Sequence, residues 1–350
     1  MRLLVTGAAG FIGTNFVRQG LAQRRDVERL VAVDLLTYAG NYANLADVDG
    51  DPRFRFVRAD IADRDAMRSL VRDENIDVLV HFAAESHVDR SIADHEPFLR
   101  TNVVGTLSLL DAVRGLSGFR RYLQVSTDEV YGSIPDGRAC EDWPTCPSSP
   151  YAASKAAADG FVQSYATTHG VPAVITRCSN NYGPYQFPEK VIPLFVTNAI
   201  DGHQLPLYGD GLNVRDWIHV ADHCDALWHV LGLGDAEGQV FNVSAHNEIS
   251  NRILTDMILR LLDRSPTLVR YVADRPGHDR RYALDSSRLR ATGWQPHRAF
   301  EEALAATVAW YGEQRDWWEA VKSGAYRAYY DTMYEARLAT ASATPRAQDG

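Results

Sequence analysis

RLLVTGAAGFIG, residues 2–13, decides the fold. RLLVTGA, residues 2–8, reads as a buried strand that runs straight into glycines, and helical spacing follows over residues 13–24. Gly7, Gly10 and Gly13 permit a tight turn and let the backbone come close to a pyrophosphate, with Phe11 and Ile12 opening the helix. The helix N-terminus offers free N–H groups and a partial positive charge. A lone glycine triplet is weak evidence. This one stands in a strand–turn–helix context, and RLVAVD, residues 29–34, forms a second strand ending on Asp34, about twenty residues further on. A carboxylate there accepts from both ribose hydroxyls and repels a 2′-phosphate, which predicts NAD rather than NADP.

The same alternation continues outward. FRFVRAD at 54–60, DVLVHFAA at 77–84 and RYLQVST at 121–127 are further strands, and helical segments over 63–74 and 98–114 separate them. Val103, Leu107 and Leu110 should share one face of the second of these helices. Strands alternating with helices imply an α/β fold, a Rossmann-type doubly wound parallel sheet. Open sheets of this kind bind ligands at the carboxyl ends of their strands. Asp60 and Ile61 should therefore flank an adenine, and Phe82, Ala83 and Ala84 should run along the cofactor. After about residue 175 the loops become rich in Asn, Gly, Pro and Tyr. The expected organisation is a dinucleotide-binding domain over 1–175, with later segments returning to it, and a smaller mixed α/β substrate lobe over 176–338. Residues 339–350, small and polar, read as a disordered tail.

Whole-chain properties narrow the class. The chain has 350 residues, 45% of them hydrophobic, enough for a sizeable core. A net charge of −9 argues against nucleic acid or an acidic membrane as partner. Four cysteines without a CxxC pair argue against a metal site and for reduced thiols. Neither a membrane span nor a signal peptide is legible, so a cytoplasmic protein is expected.

Two short constellations carry chemistry. Tyr151 and Lys155 stand at i and i+4, on one face of a helix. A phenol has a pKa of about 10, and a neighbouring ammonium favours the phenolate. The pair can then remove a hydroxyl proton while hydride leaves the same carbon, with Thr127 on the preceding strand assisting. Asp128 and Glu129 follow Thr127 directly, at the end of the fifth strand. Adjacent acids are commonly exposed loop residues or a helix cap. Here they stand where catalytic residues belong, and two carboxylates in different surroundings can act as acid and base. Hydride transfer alone needs no such pair; breaking a C–O bond does.

The GxxGxxG spacing and the Tyr–Lys pair resemble the extended short-chain dehydrogenase/reductases, and further stretches resemble the dTDP-glucose 4,6-dehydratases. These are DLLTYAGN at 34–41, HFAAESHVDRSI at 81–92, STDEVYG at 126–132, SPYAASKA at 149–156, CSNNYGPYQFPEK at 178–190, YGDGLNVRDWIHVADH at 208–223 and DRPGHDRRYALD at 274–285. The resemblance runs from Met1 to about Tyr311. It implies that Tyr151, supported by Lys155, is the base for C4 oxidation, that Asp128 protonates the departing C6 hydroxyl, and that Glu129 takes the C5 proton. It implies further cofactor contacts from Leu35, Thr37, Ser86, Thr101 and Asn181. Ser86 and Thr127 would also bond the sugar. Asn180, Glu189 and Lys190 would meet the hexose and phosphates; Arg215, Arg275 and His278 the pyrophosphate and nucleotide; Pro206, Tyr208, Asn251 and Tyr282 the base and its linkage. Apart from the resemblance, the two arginines are simply the forked cations that clasp phosphates. Arg177 receives no function from the sequence.

The resemblance implies a 4-keto-6-deoxy sugar nucleotide as product, with tightly held NAD regenerated at each turnover. A nucleotide-sugar 4-epimerase would share the NAD site and the Tyr–Lys pair without needing the two acids. A non-catalytic NAD-binding regulatory protein would need neither. The resemblance also implies a homodimer in which the 98–114 helix and the helix after Tyr151 pair across a four-helix interface.

Overall fold

The protein is described from a computed structural model, which describes residues 1–323, 330, 334 and 337–345. Six strands alternate with helices through the first half: β1 (Arg2–Thr6), β2 (Arg29–Asp34), β3 (Phe54–Arg58), β4 (Val78–His81), β5 (Arg121–Thr127) and β6 (Ala173–Cys178). β7 (Asn180–Tyr182), β8 (Leu205–Tyr208), β9 (Val214–His219), β10 (Val240–Val243), β11 (Glu248–Ser250) and β12 (Val269–Val272) follow. The large sheet has seven strands in the order β10-β6-β5-β4-β1-β2-β3, all pairing in parallel. This is the doubly wound order, and the chain reverses direction of growth between β1 and β4. Ligands bind at such a point because the loops on either side part there.

Leu3, Leu4, Val5, Val31, Leu79 and Val80 are fully or almost fully buried, so these strands read as continuous apolar runs rather than alternating ones. Helix Phe11–Gln23 packs on helix Val220–Gly232, with Phe16 stacked on Trp228 at 4.2 Å between centroids. Gly20 makes the approach possible, since a Cβ there would lie 2.5 Å from the indole. Through this helix and β10, the second half of the chain returns to the dinucleotide-type sheet. A separate core gathers Tyr182, Phe195, Trp217, Leu254, Phe300 and Tyr311, beneath a three-stranded sheet β11-β9-β7 and the parallel pair β12-β8.

Two local expectations need correction. The helix over 98–114 is π-helical from Leu99 to Gly105 before continuing as Thr106–Val113. The wider turn rotates the following residues, so Val103 and Leu110 are buried but Leu107 is only partly so. The tail expected to be disordered from Ala339 does not lie free at Ser342. Its backbone exchanges two hydrogen bonds with Tyr271, at 2.8 and 3.0 Å, because the free edge of β12 offers an unpaired N–H and C=O there. Residues 346–350 lie outside the described residues.

Candidate active site

The glycine turn forms a cradle that side chains would fill. Gly7 has a φ of +66°, and a Cβ on it would lie 2.6 Å from the Ala83 nitrogen. A Cβ on Gly13 would collide with the Gly7 carbonyl oxygen. Gly10 caps helix Phe11–Gln23 without a side-chain hydrogen bond, leaving first-turn N–H groups open. Such donors, with the helix dipole behind them, suit a phosphate. Beside them Asp34 accepts from the Ala9 N–H at 3.0 Å and from the Leu36 N–H at 2.8 Å. Burial raises its pKa, and those two backbone bonds oppose the rise. Asp60 is steered by Arg100, 2.7 Å away. These features fit a dinucleotide: a phosphate cradle with an oriented carboxylate one strand away.

Every residue assigned above to the cofactor lines this one cleft, a cavity of about 310 Å³ at the carboxyl ends of the strands, as do Thr127, Asp128 and Ser86. A second cavity of about 160 Å³ collects Pro206, Tyr208, Arg215, Asn251, Arg275, His278 and Tyr282. Glu129, Asn180, Glu189 and Lys190 line both and form the wall they share. The residues assigned to the substrate, scattered from Ser86 to Tyr282, thus converge on one continuous site.

At that wall β5 ends and the chain tightens into a 3₁₀ turn, Asp128–Tyr131. Thr127 caps it: its hydroxyl accepts from the Glu129 N–H at 3.3 Å and donates to Asp128 Oδ1 at 3.1 Å. The other oxygen, Asp128 Oδ2, is buried with no hydrogen-bond partner among the described residues. Burial, and then the charge of Glu129, push Asp128 well above the usual carboxylate range. Burial also raises Glu129, but Arg275, Lys190 and Arg215 oppose it. The two neighbours are therefore set apart: both are raised, Asp128 the more strongly, while three cations oppose the rise at Glu129. Of those cations, Lys190 Nζ donates to the Ser86 carbonyl at 2.8 Å. Arg275 stands 3.8 Å from Asp89, and Arg215 lies over the Tyr282 ring at 4.3 Å.

The family model for GDP-mannose 4,6 dehydratase matches residues 4–307. The dTDP-glucose 4,6-dehydratase of Streptomyces niveus is 48% identical over 327 residues, covering 92% of this chain and 96% of the relative. That of Actinoplanes sp. is 49% identical over 324 residues, covering 91% and 100%. The chain belongs to the dTDP-glucose 4,6-dehydratase family. Among solved structures of the family, DesIV from Streptomyces venezuelae, a dTDP-glucose 4,6-dehydratase determined with NAD bound, superposes with a TM-score of 0.89 at 52% identity, over 92% of this chain and all of that one.

The lowering expected of Lys155 is opposed within this family site: burial, followed by the charge of Glu129, raises the Tyr151 phenol well above its ordinary value. The Lys155 ammonium donates to the Val125 carbonyl, 2.7 Å away, and burial lowers its own pKa. Thr127, within hydrogen-bond reach, opposes the rise. Two further residues escaped the sequence. Tyr334, almost fully buried, lines the second cavity beside Tyr208; its signal is a local run of tyrosines in the sequence, Tyr326, Tyr329, Tyr330 and Tyr334. Asn102 accepts from the Glu85 N–H at 2.9 Å and donates to the Ser154 hydroxyl at 2.8 Å. It pins the loop after β4 to the Tyr151 helix, and its signal is an asparagine within an apolar helical stretch.

Proposed function

We propose that this chain is a dTDP-glucose 4,6-dehydratase that holds NAD and forms dTDP-4-keto-6-deoxy-glucose and water. The observation that carries this is the adjacent pair Asp128 and Glu129, both raised by burial but Glu129 opposed by Arg275, Lys190 and Arg215, with Glu129 on the wall between the two cavities. The chemistry follows from the acidity of carbon. A C5 hydrogen is not acidic until C4 is a ketone, so oxidation comes first. Bound NAD supplies that step, accepting hydride from C4 and giving it back at C6. Tyr151, as its phenolate, takes the C4 hydroxyl proton, with Thr127 beside it. Glu129 removes the C5 proton, and Asp128, protonated beforehand by its burial, donates to the C6 oxygen as water departs. Glu129 afterwards returns a proton to C5. Lys190, Arg215 and Arg275 neutralise the pyrophosphate and hold Glu129 ionisable. Asn180 and Glu189 meet the hexose; Pro206, Tyr208, Asn251, His278 and Tyr282 enclose the nucleotide.

The test is incubation of the purified protein with dTDP-glucose, with and without added NAD, followed by mass spectrometry of the nucleotide sugar. Loss of one water without net cofactor reduction is expected. An unchanged mass in both arms, with chromatography showing only an isomer, would replace the dehydratase by an epimerase.

The enzyme acts as a homodimer in this reading. Leu99, Val104 and Phe161 are exposed apolar side chains on the packed helical segments Leu99–Gly105 and Pro150–His169. Two copies of this pair would bury them in a four-helix interface. Phe161→Glu is expected to sediment with the mass of one chain where the unaltered protein has that of two; equal masses would remove this face from the interface. Four free cysteines and the lack, among the described residues, of a helix able to cross a membrane are compatible with the cytoplasm.

A further inference from the structure

Arg177 lies on β6, and its side chain is almost wholly buried. Its Nε donates to Asp159 Oδ2 at 3.0 Å, and its Nη1 donates to the Tyr131 hydroxyl at 2.9 Å. The guanidinium also lies over the Tyr131 ring, 4.8 Å from the centroid. The two partners belong to the two halves of the catalytic apparatus. Tyr131 is the last residue of the turn that begins with Asp128 and Glu129. Asp159 continues the Tyr151–Lys155 stripe, one more helical turn along Pro150–His169. Tyr131 is anchored from the far side as well, donating to Asn242 at 3.0 Å. One planar fork therefore joins the element bearing the acid and base of elimination to the element bearing the base of oxidation.

Stability does not account for this arrangement. A buried ion pair contributes little beyond what apolar packing of the same volume would. Geometry does. Tyr151 must reach C4 while Glu129 reaches C5 and Asp128 reaches the oxygen on C6, three neighbouring carbons addressed from two separate elements. We infer that Arg177 is a positioning residue that sets the distance between the Tyr151–Lys155 helix and the Asp128–Glu129 turn, so that elimination keeps pace with oxidation. The inference rests on the dehydratase reading.

The test compares Arg177→Met, which keeps the bulk and removes the fork, with Tyr131→Phe, which removes a single oxygen. For each, kcat and KM for dTDP-glucose are measured, together with bound NAD and, in a single turnover, the rates of cofactor reduction and of water loss. Arg177→Met is expected to lose about 100-fold in kcat, the scale of an ångström of misplacement, with KM and NAD content nearly unchanged. Water loss should fall much further than cofactor reduction, so that the 4-keto-glucose nucleotide accumulates. Tyr131→Phe should shift the same ratio in the same direction by a smaller factor. If both steps slow equally, or kcat is unaltered, Arg177 is merely structural and the inference falls. Should Arg177→Met fail to fold, an unchanged ratio in Tyr131→Phe overturns it alone. The unaltered enzyme run in parallel separates this from the parent reading: if it releases no water, the function is wrong rather than the clamp.

Discussion

Glu129→Gln is expected to oxidise C4 of its substrate and then stop. Glutamine keeps the size and the hydrogen-bonding shape of the side chain but cannot take a proton from carbon. Tyr151, Thr127 and Lys155 are untouched by the change, so the first step retains its own machinery. The charge lost is also one that raises the Tyr151 phenol, so the change does not hinder ionisation of that phenol. The absorbance of reduced nicotinamide should rise toward one equivalent per site on adding dTDP-glucose, and product formation should fall by about 10²–10⁴, the usual contribution of a general base. Folded, substrate-binding protein that shows no such absorbance would take Glu129 out of the C5 step. Asp128 is the informative neighbour. It sits deeper, and burial followed by the charge of Glu129 raises its carboxyl well above the usual range, so the two acids are not interchangeable despite adjacency.

Legibility in the sequence followed the range of the physics involved. Gly7, Gly13 and Asp34 are marked by local rules, because a strand, a turn and a helix start are all settled within a few residues. Tyr151 and Lys155 are marked by helical period. Arg215, Arg275 and His278 carry no local mark; only the resemblance brought them to the site, and the fold joins them through the return of β9 and the 274–285 loop to the end of β5. Arg177 shows the limit most clearly. Its partners stand 18 and 46 residues away on different elements, and no spacing rule predicts that a strand arginine will be enclosed between a helix and a turn. The Tyr151 environment was legible only in part for a related reason. The i and i+4 spacing reports which face two residues share, but not that both are buried or that the ammonium is already bonded to a strand carbonyl.

That buried environment sharpens the expectation for Tyr151→Phe. The phenol is raised by burial and by the carboxylate of Glu129, and a cation placed against it would favour its ionisation; the positively charged ring of oxidised nicotinamide would be such a group. Removal of the hydroxyl should cost about 10²–10⁴ in the first step while leaving NAD content and substrate binding near their normal values, since Phe98 packs edge-on against the ring and not against the hydroxyl. Combined with Glu129→Gln, it should abolish the absorbance that the single variant accumulates, because oxidation precedes the step at which Glu129 acts. A double variant that still reduces its cofactor at the single variant's rate would assign the C4 proton to another group, and Thr127, which donates to Asp128 and lies within reach of the same oxygen, would be the first to examine.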